Sequence, residues 1–358
     1  MDVIAIFDIG RNNKGFLLYD AGLNIVHKQE KTFSGNTDED GFTCDEIAGI
    51  TSWIRSCISS VFRNRDYNVR GLNFSCYNSS MAFPAEQRNI PDNCSKVRAA
   101  LHLPEPVSTS AASDAEIEGR IIKTGVGINK NSALLLPYFS VTREQFILVS
   151  AGNWCIFINP FNTKAFYNDN LQKDTFFFTS DNGQLVKSSR FCLGPIHDMN
   201  VARLDDHFGV TAGYFKTIRI KSKKISRLLA GGYARIFFRN GIPRGYVDNE
   251  ADLSQFLTYA DAYHQMMCDL VDACLGSYRL IIPADDTTEV VYVTGGFAKN
   301  DTFVRLLAAR LPDKRVFTTD IESTAALGAA MVIYENAMSR ELPHIYLGLK
   351  AIINNRDN

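Results

Sequence analysis

Three apolar runs in this chain end on glycine. Val3 to Ile9 leads into Asp8-Ile9-Gly10, Phe146 to Ser150 into Ala151-Gly152-Asn153-Trp154, and Glu289 to Thr294 into Gly295-Gly296. Short, β-branched apolar runs of this kind read as buried strands. A glycine at the strand end lets the backbone turn sharply and present its N–H groups to an anion. One such turn is ordinary hairpin chemistry. Three of them in order, the first two each opening a strand-turn-strand unit at the start of one half of the chain, are a much more specific sign of anion-facing or nucleoside-facing strand ends.

The remaining pattern fits that frame. Phe16 to Tyr19 returns from the first turn as a hairpin, Ile25 to Phe33 adds a third strand, and Thr43 to Phe62 carries Ile47, Ile50, Ile54, Ile58 and Val61 at helical spacing. Gly71 to Tyr77 and Pro106 to Ala111 read as short strands, with a helix over Ser95 to Leu103 between them. Cys155 to Ile158 closes the second hairpin, and Tyr259, Tyr263, Met266, Met267, Leu270, Val271 and Cys274 trace one helix face, the methionines as core filler. Asp301 to Leu311, Arg315 to Thr319 and Ser323 to Glu335 then read as helix, strand and a helix of small residues. At roughly 150 residues per domain, 358 residues with 46% apolar content predict two lobes, over 1–145 and 146–358.

A formal charge of -1 sets up no field that would collect nucleic acid or an anionic membrane, which points to a small solute as partner. The eight cysteines form no CxxC pair and several lie in apolar runs, as expected in a reducing cytoplasm. The start, MDVIAIFDIG, has acidic residues where a signal peptide has a basic start and a longer uncharged run. No stretch approaches the about 18 apolar residues of a membrane span.

Asp8 ends the first strand, where a carboxylate can hold a metal ion or its waters beside a phosphate. Asp114, in Ser110-Ala-Ala-Ser-Asp-Ala-Glu-Ile-Glu-Gly119, reads either as a helix N-cap or as the carboxylate that takes the proton of an attacking hydroxyl. The segment from Phe215 to Arg227 has six positive charges; it could attract phosphate, and its plain reading is a solvated helix or linker face.

Val291-Tyr-Val-Thr-Gly-Gly-Phe-Ala-Lys-Asn300 resembles the adenosine motif of the FGGY carbohydrate kinases, and Glu322-Ser-Thr-Ala-Ala-Leu-Gly-Ala-Ala330 resembles that family's Glu-Ala-Thr-Ala-Leu-Gly-Ala-Ala helix, at the family's spacing. Ser150-Ala-Gly-Asn-Trp154 is similar to the second phosphate loop in the form carried by the rhamnulose and fuculose kinase branch, and Asp8-Ile-Gly10 to the first. Val107 to Asp114 lies where the family has a strand leading to His-Asp-Thr-Ala, and Arg235 to Asn249 looks like its Phe-Ile-Asn-Pro segment.

The resemblance implies an α/β, two-lobed, actin-like ATPase (ribonuclease H-like) fold, each lobe a mixed sheet flanked by helices. It implies ATP-dependent phosphorylation of a sugar hydroxyl, on a ketose such as rhamnulose, fuculose or xylulose or on a polyol, with Asp114 as general base and Asp8 on Mg²⁺. ATP would be bordered by Gly10, Arg11, Asn12, Asn13, Lys14, Gly152, Asn153, Gly295, Gly296 and Asn300. Sugar would meet Trp154, and Glu86-Gln-Arg88 reads either as a remnant of the family's sugar motif or as an ordinary surface loop. A homodimer is left open.

The chain also departs from the family. Gly-Thr-Thr-Asn-x-Lys becomes Gly10-Arg-Asn-Asn-Lys-Gly15, which removes two hydroxyls and shifts the basic residue to Lys14, and Asn153 replaces a threonine in the second loop. Most of the family's sugar-binding insertion before Asp114 is missing. The alternative is therefore a catalytically degenerate relative that binds nucleotide or sugar as a sensor or scaffold.

Overall fold

A computed structural model describes residues 1–10, 13–33, 36–37, 43–44, 46–77, 108–162, 174–181, 184–230 and 235–353. The chain divides into two compact units. The first comprises Met1–Arg143, Phe178–Gln184 and Ser323–Leu347; the second comprises Glu144–Phe177, Leu185–Glu322 and Gly348–Asn358.

The first unit opens with β1 (Asp2–Ile9), β2 (Asn13–Tyr19) and β3 (Ile25–Thr32), a meander whose first hairpin turns at Gly10. After the short pair β4 (Asn36–Thr37) and β5 (Thr43–Cys44), α1 (Ile47–Arg63) covers one sheet face with Ile50, Trp53, Cys57 and Val61. The helix thus begins at residue 47, because residues 43–44 pair as strand.

Next come β6 (Asn68–Cys76), β7 (Ala112–Ile117), β8 (Arg120–Gly125), β9 (Ile128–Asn129) and α2 (Lys130–Val141). The sheet runs β3-β2-β1-β6-β8-β7, with β9 also on β6, and β1, β6, β8 and β9 are parallel. The strand expected over 106–111 is not found at 108–111, which form a turn; the strand starts at Ala112, where a hairpin to β8 supplies its ladder. The helix expected over 95–103 lies outside the described residues.

In the second unit β10 (Phe146–Ala151) and β11 (Trp154–Asn159) form the second hairpin, followed by β12 (Thr175–Thr179), β13 (Leu185–Cys192) and α3 (Gly194–Phe208). The basic segment folds as a 3₁₀ turn over Tyr214–Thr217 and α4 (Ser222–Leu229). Then come α5 (Tyr259–Leu280), β14 (Val290–Thr294), α6 (Asp301–Arg310) and β15 (Arg315–Thr318). The chain continues through α7 (Thr324–Met331) and α8 (Tyr334–Met338), and ends its described part with β16 (Lys350–Ala351). The second sheet runs β12-β13-β11-β10-β14-β15-β16.

Met266, Met267, Leu270, Val271 and Cys274 of α5 are buried in the second unit's core with Phe157, Val291 and Leu307. The helix Ser323 to Glu335 divides into α7 and α8. Both belong to the first unit, where buried Asn73 donates to the Ala329 carbonyl at 2.8 Å and accepts from Gly127 N at 3.0 Å. Each unit is thus a mixed sheet flanked by helices, as the actin-like reading expects. Among the described residues no helix is long and apolar enough to cross a membrane.

Candidate functional site

The second unit carries the better-formed site. Strands β10 and β14 pair in parallel with Ser150 opposite Thr294, so their two glycine turns emerge side by side. Gly295 has φ +89°, and a Cβ there would stand 2.5 Å from the Ala151 carbonyl oxygen, so this turn requires glycine. Gly296 is different: a Cβ there would meet nothing within 4 Å. That open space belongs to a cavity of about 440 Å³ whose walls include Gly152, Asn153, Gly296 and Asn300. Four of the residues expected to border a nucleotide are therefore brought together around one cavity, with Gly295 setting the turn behind them.

Local chemistry holds each of these in place. The Asn153 carbonyl accepts from Leu193 N and Gly194 N, both at 3.0 Å, which fastens the start of α3 to the turn. Asn300 caps α6 by accepting from Phe303 N at 3.1 Å, and its Nδ2 donates to the Tyr263 hydroxyl at 2.8 Å. Burial pushes the Tyr263 hydroxyl up from its usual range, with the Asn300 hydrogen bond acting the other way, so the phenol keeps its proton at neutral pH. The Asp198 carboxylate can only accept, so His197 Nδ1 donates to it at 2.7 Å, while Nε2 lies 3.3 Å from the Tyr263 hydroxyl. The His197 ring is wedged edge-on against Phe215 and Phe297, centroids 4.9 and 5.0 Å away.

His197, Asp198, Phe215, Lys216 and Arg219 also line this cavity and were not singled out by motif. The available signal was the basic segment: its first part, read as a solvated face, contributes two cations to the cavity wall. The arrangement offers open backbone at two glycines, amide groups, an aromatic wall and positive charge. That set suits a nucleotide.

The first unit places Asp8 at the end of β1, opposite Ser75 on β6. One carboxylate oxygen accepts from Ser75 Oγ and the other from Lys130 Nζ at 2.9 Å. Lys130 is the first residue of α2, and its Nζ lies 3.5 Å from where a Cβ on Gly10 would stand. Gly10 itself allows the turn, since its Cβ would fall 2.7 Å from the Asn13 carbonyl oxygen. Asn13 is exposed and its Oδ1 accepts from Thr32. Lys14 is fully buried, its ammonium 5.9 Å from the Phe33 ring and 5.7 Å from the Tyr77 ring. Arg11, Asn12, Glu86 and Arg88 lie outside the described residues.

Asp114 lies within β7, so it is neither a helix cap nor at a strand end; it forms an exposed ion pair with Lys123 at 2.8 Å. Trp154 is partly exposed and covered by Arg190, whose guanidinium lies 4.7 Å from the ring and is held by Asp174 at 3.0 Å. For Mg²⁺, the donors at Asp8 are a poor match. Both oxygens already take hydrogen bonds, one from a cation, and among the described residues no three His, Cys, Asp or Glu side chains gather to hold a metal.

The same fold occurs in proteins of known structure. A carbohydrate kinase from Novosphingobium aromaticivorans matches over 98% of this chain and 93% of its own, at 14% identity and TM-score 0.65. Carbohydrate kinases share this fold. A ligand-bound xylulose kinase from Lactobacillus acidophilus matches at 12% identity and TM-score 0.68 over 98% of this chain and 93% of its own. Plasmodium falciparum glycerol kinase with ADP matches at 11% identity and TM-score 0.65, over 96% of this chain and 91% of its own. No family model matches the sequence, and no curated protein does.

Proposed function

We propose that this chain binds an adenine nucleotide, ATP or ADP, in the second unit's cavity, on a scaffold shared with enzymes that phosphorylate sugars. The observation that carries this is the convergence of Gly152, Asn153, Gly296 and Asn300 on one cavity with Lys216 and Arg219 in its wall. The open face of Gly296 gives a planar base or a sugar ring direct access to backbone, and the cations balance phosphate charge.

Phosphotransfer to a sugar hydroxyl is the activity this scaffold suggests, on a ketose of the rhamnulose, fuculose or xylulose type or a polyol. Asp114 would then take the hydroxyl proton, with Trp154 beside the sugar. A second reading is a relative that binds nucleotide or sugar without turnover, and one observation favours it: Asp8 is already closed by Ser75 and Lys130. We infer a cytoplasmic protein acting on small molecules, alone or as a homodimer.

Calorimetry with ATP and ADP tests the shared part. Saturable binding that disappears in Gly296→Trp is expected, and no heat with either nucleotide would overturn it. Coupled detection of ADP across a panel of ketoses and polyols separates the two readings. Sugar-dependent ADP formation lost in Asp114→Ala establishes the kinase; nucleotide binding without ADP formation establishes the second reading.

A further inference from the structure

We propose that the ammonium of Lys130 is the cation that Asp8 holds, and that it closes the Asp8 turn to divalent metal ions. This rests on the second reading above, and its test does not depend on nucleotide binding.

Asp8 stands where the central parallel strands of the first unit end, with its side chain only 16% exposed. A carboxylate there needs a positive partner, and either a metal ion or a basic side chain can supply it. The chain supplies the side chain. Lys130 Nζ lies 2.9 Å from one oxygen, and Ser75 Oγ donates to the other, so neither oxygen is left without a donor.

The lysine is also held in place. It opens α2 directly after Asn129, whose side chain caps the helix by accepting from Asn131 N at 2.9 Å and Ser132 N at 3.4 Å. The ammonium rests against the turn, 3.5 Å from where a Cβ on Gly10 would stand. A divalent ion bound to Asp8 would have to displace the Ser75 bond or stand beside a fixed like charge in a partly buried place, and both oppose binding. Among the described residues no group of three His, Cys, Asp or Glu side chains gathers there to hold a metal.

The test is a Mn²⁺ titration of the full chain, followed by electron paramagnetic resonance of the free ion. It compares the natural sequence with Asp8→Asn, Lys130→Met and the double variant. The natural sequence and Asp8→Asn should bind the same number of ions. Lys130→Met should gain one ion per chain, and the double variant should lose it again. Two outcomes overturn the proposal: an ion in the natural sequence that Asp8→Asn removes, or a folded Lys130→Met that gains none. Should Lys130→Met fail to fold, Lys130→Gln keeps a donor without the charge, and its gain or lack of an ion decides the matter in the same way.

Discussion

Gly328 on α7 packs against the backbone of Ala133 on α2, so closely that a Cβ on Gly328 would stand 2.0 Å from the Ala133 carbonyl oxygen. The contact is helix backbone on helix backbone, with no flexible side chain to give way. Gly328→Ala should therefore force the two helices of the first unit apart. A loss of about 1–3 kcal/mol is expected, at the upper end because the obstacle is main chain, read as a shift in the urea midpoint.

The neighbouring glycines at the end of β14 should behave oppositely. Gly295→Ala meets the Ala151 backbone in a left-handed conformation and should lower the melting temperature sharply. Gly296→Ala enters empty space without strain and should melt like the natural chain. Thermal melts of the two variants side by side check this.

Asn300 both caps a helix and anchors the Tyr263 hydroxyl. Asn300→Ala should cost about 0.5–2 kcal/mol for the lost cap. Asn300→Asp keeps the cap and, when ionised, lacks the donor to Tyr263, so it should recover most of that stability in chemical denaturation.

Acid should weaken the second unit through His264. Burial first, then the nearby Lys224 ammonium, holds this imidazole below its usual 6.5. A folded value below the unfolded one means that the neutral ring contributes stability above about pH 6.5, lost as pH falls towards the folded value. The melting temperature should drop between pH 7.5 and 5.5, and the drop should be smaller in His264→Gln.

Asp114 and Lys123 face water, so Asp114→Ala should change unfolding free energy by less than about 0.5 kcal/mol. An effect of that variant on turnover would then report chemistry, since equilibrium unfolding would be unaltered.

Much of this was legible from local pattern. The hairpins at Gly10 and Gly152, the helix from Tyr259 and the Gly295-Gly296 turn were set by period and glycine placement over a few residues, and they appear as read. Helix α2 was not read, because Leu134, Leu135 and Leu136 give an unbroken apolar run and Pro137 sits inside it, a residue that normally stops a helix. Strand β7 was obscured by Ser113, Asp114 and Glu116, which suit its exposed position in a hairpin more than any buried strand. The Asp8 to Lys130 pair joins residues 122 apart and leaves no trace in local spacing. Lys216 and Arg219 were visible as charge, but which of six cations faces a cavity depends on the turn at Tyr214–Thr217.

The return of Ser323–Leu347 to the first unit also sets an order of events. A chain emerging from the ribosome makes the sheet of that unit first, yet α7, α8 and Ile333 between them, which with Ala337 covers Gly71 and Gly125, arrive only after residues 185–322, most of the second unit, have been synthesised. The amino-terminal unit therefore does not mature ahead of the second, against the usual order. The half begun earliest stays incomplete until Leu347, and a nascent chain stopped at Glu322 has all of β1 to β9 but lacks the helices that complete their packing.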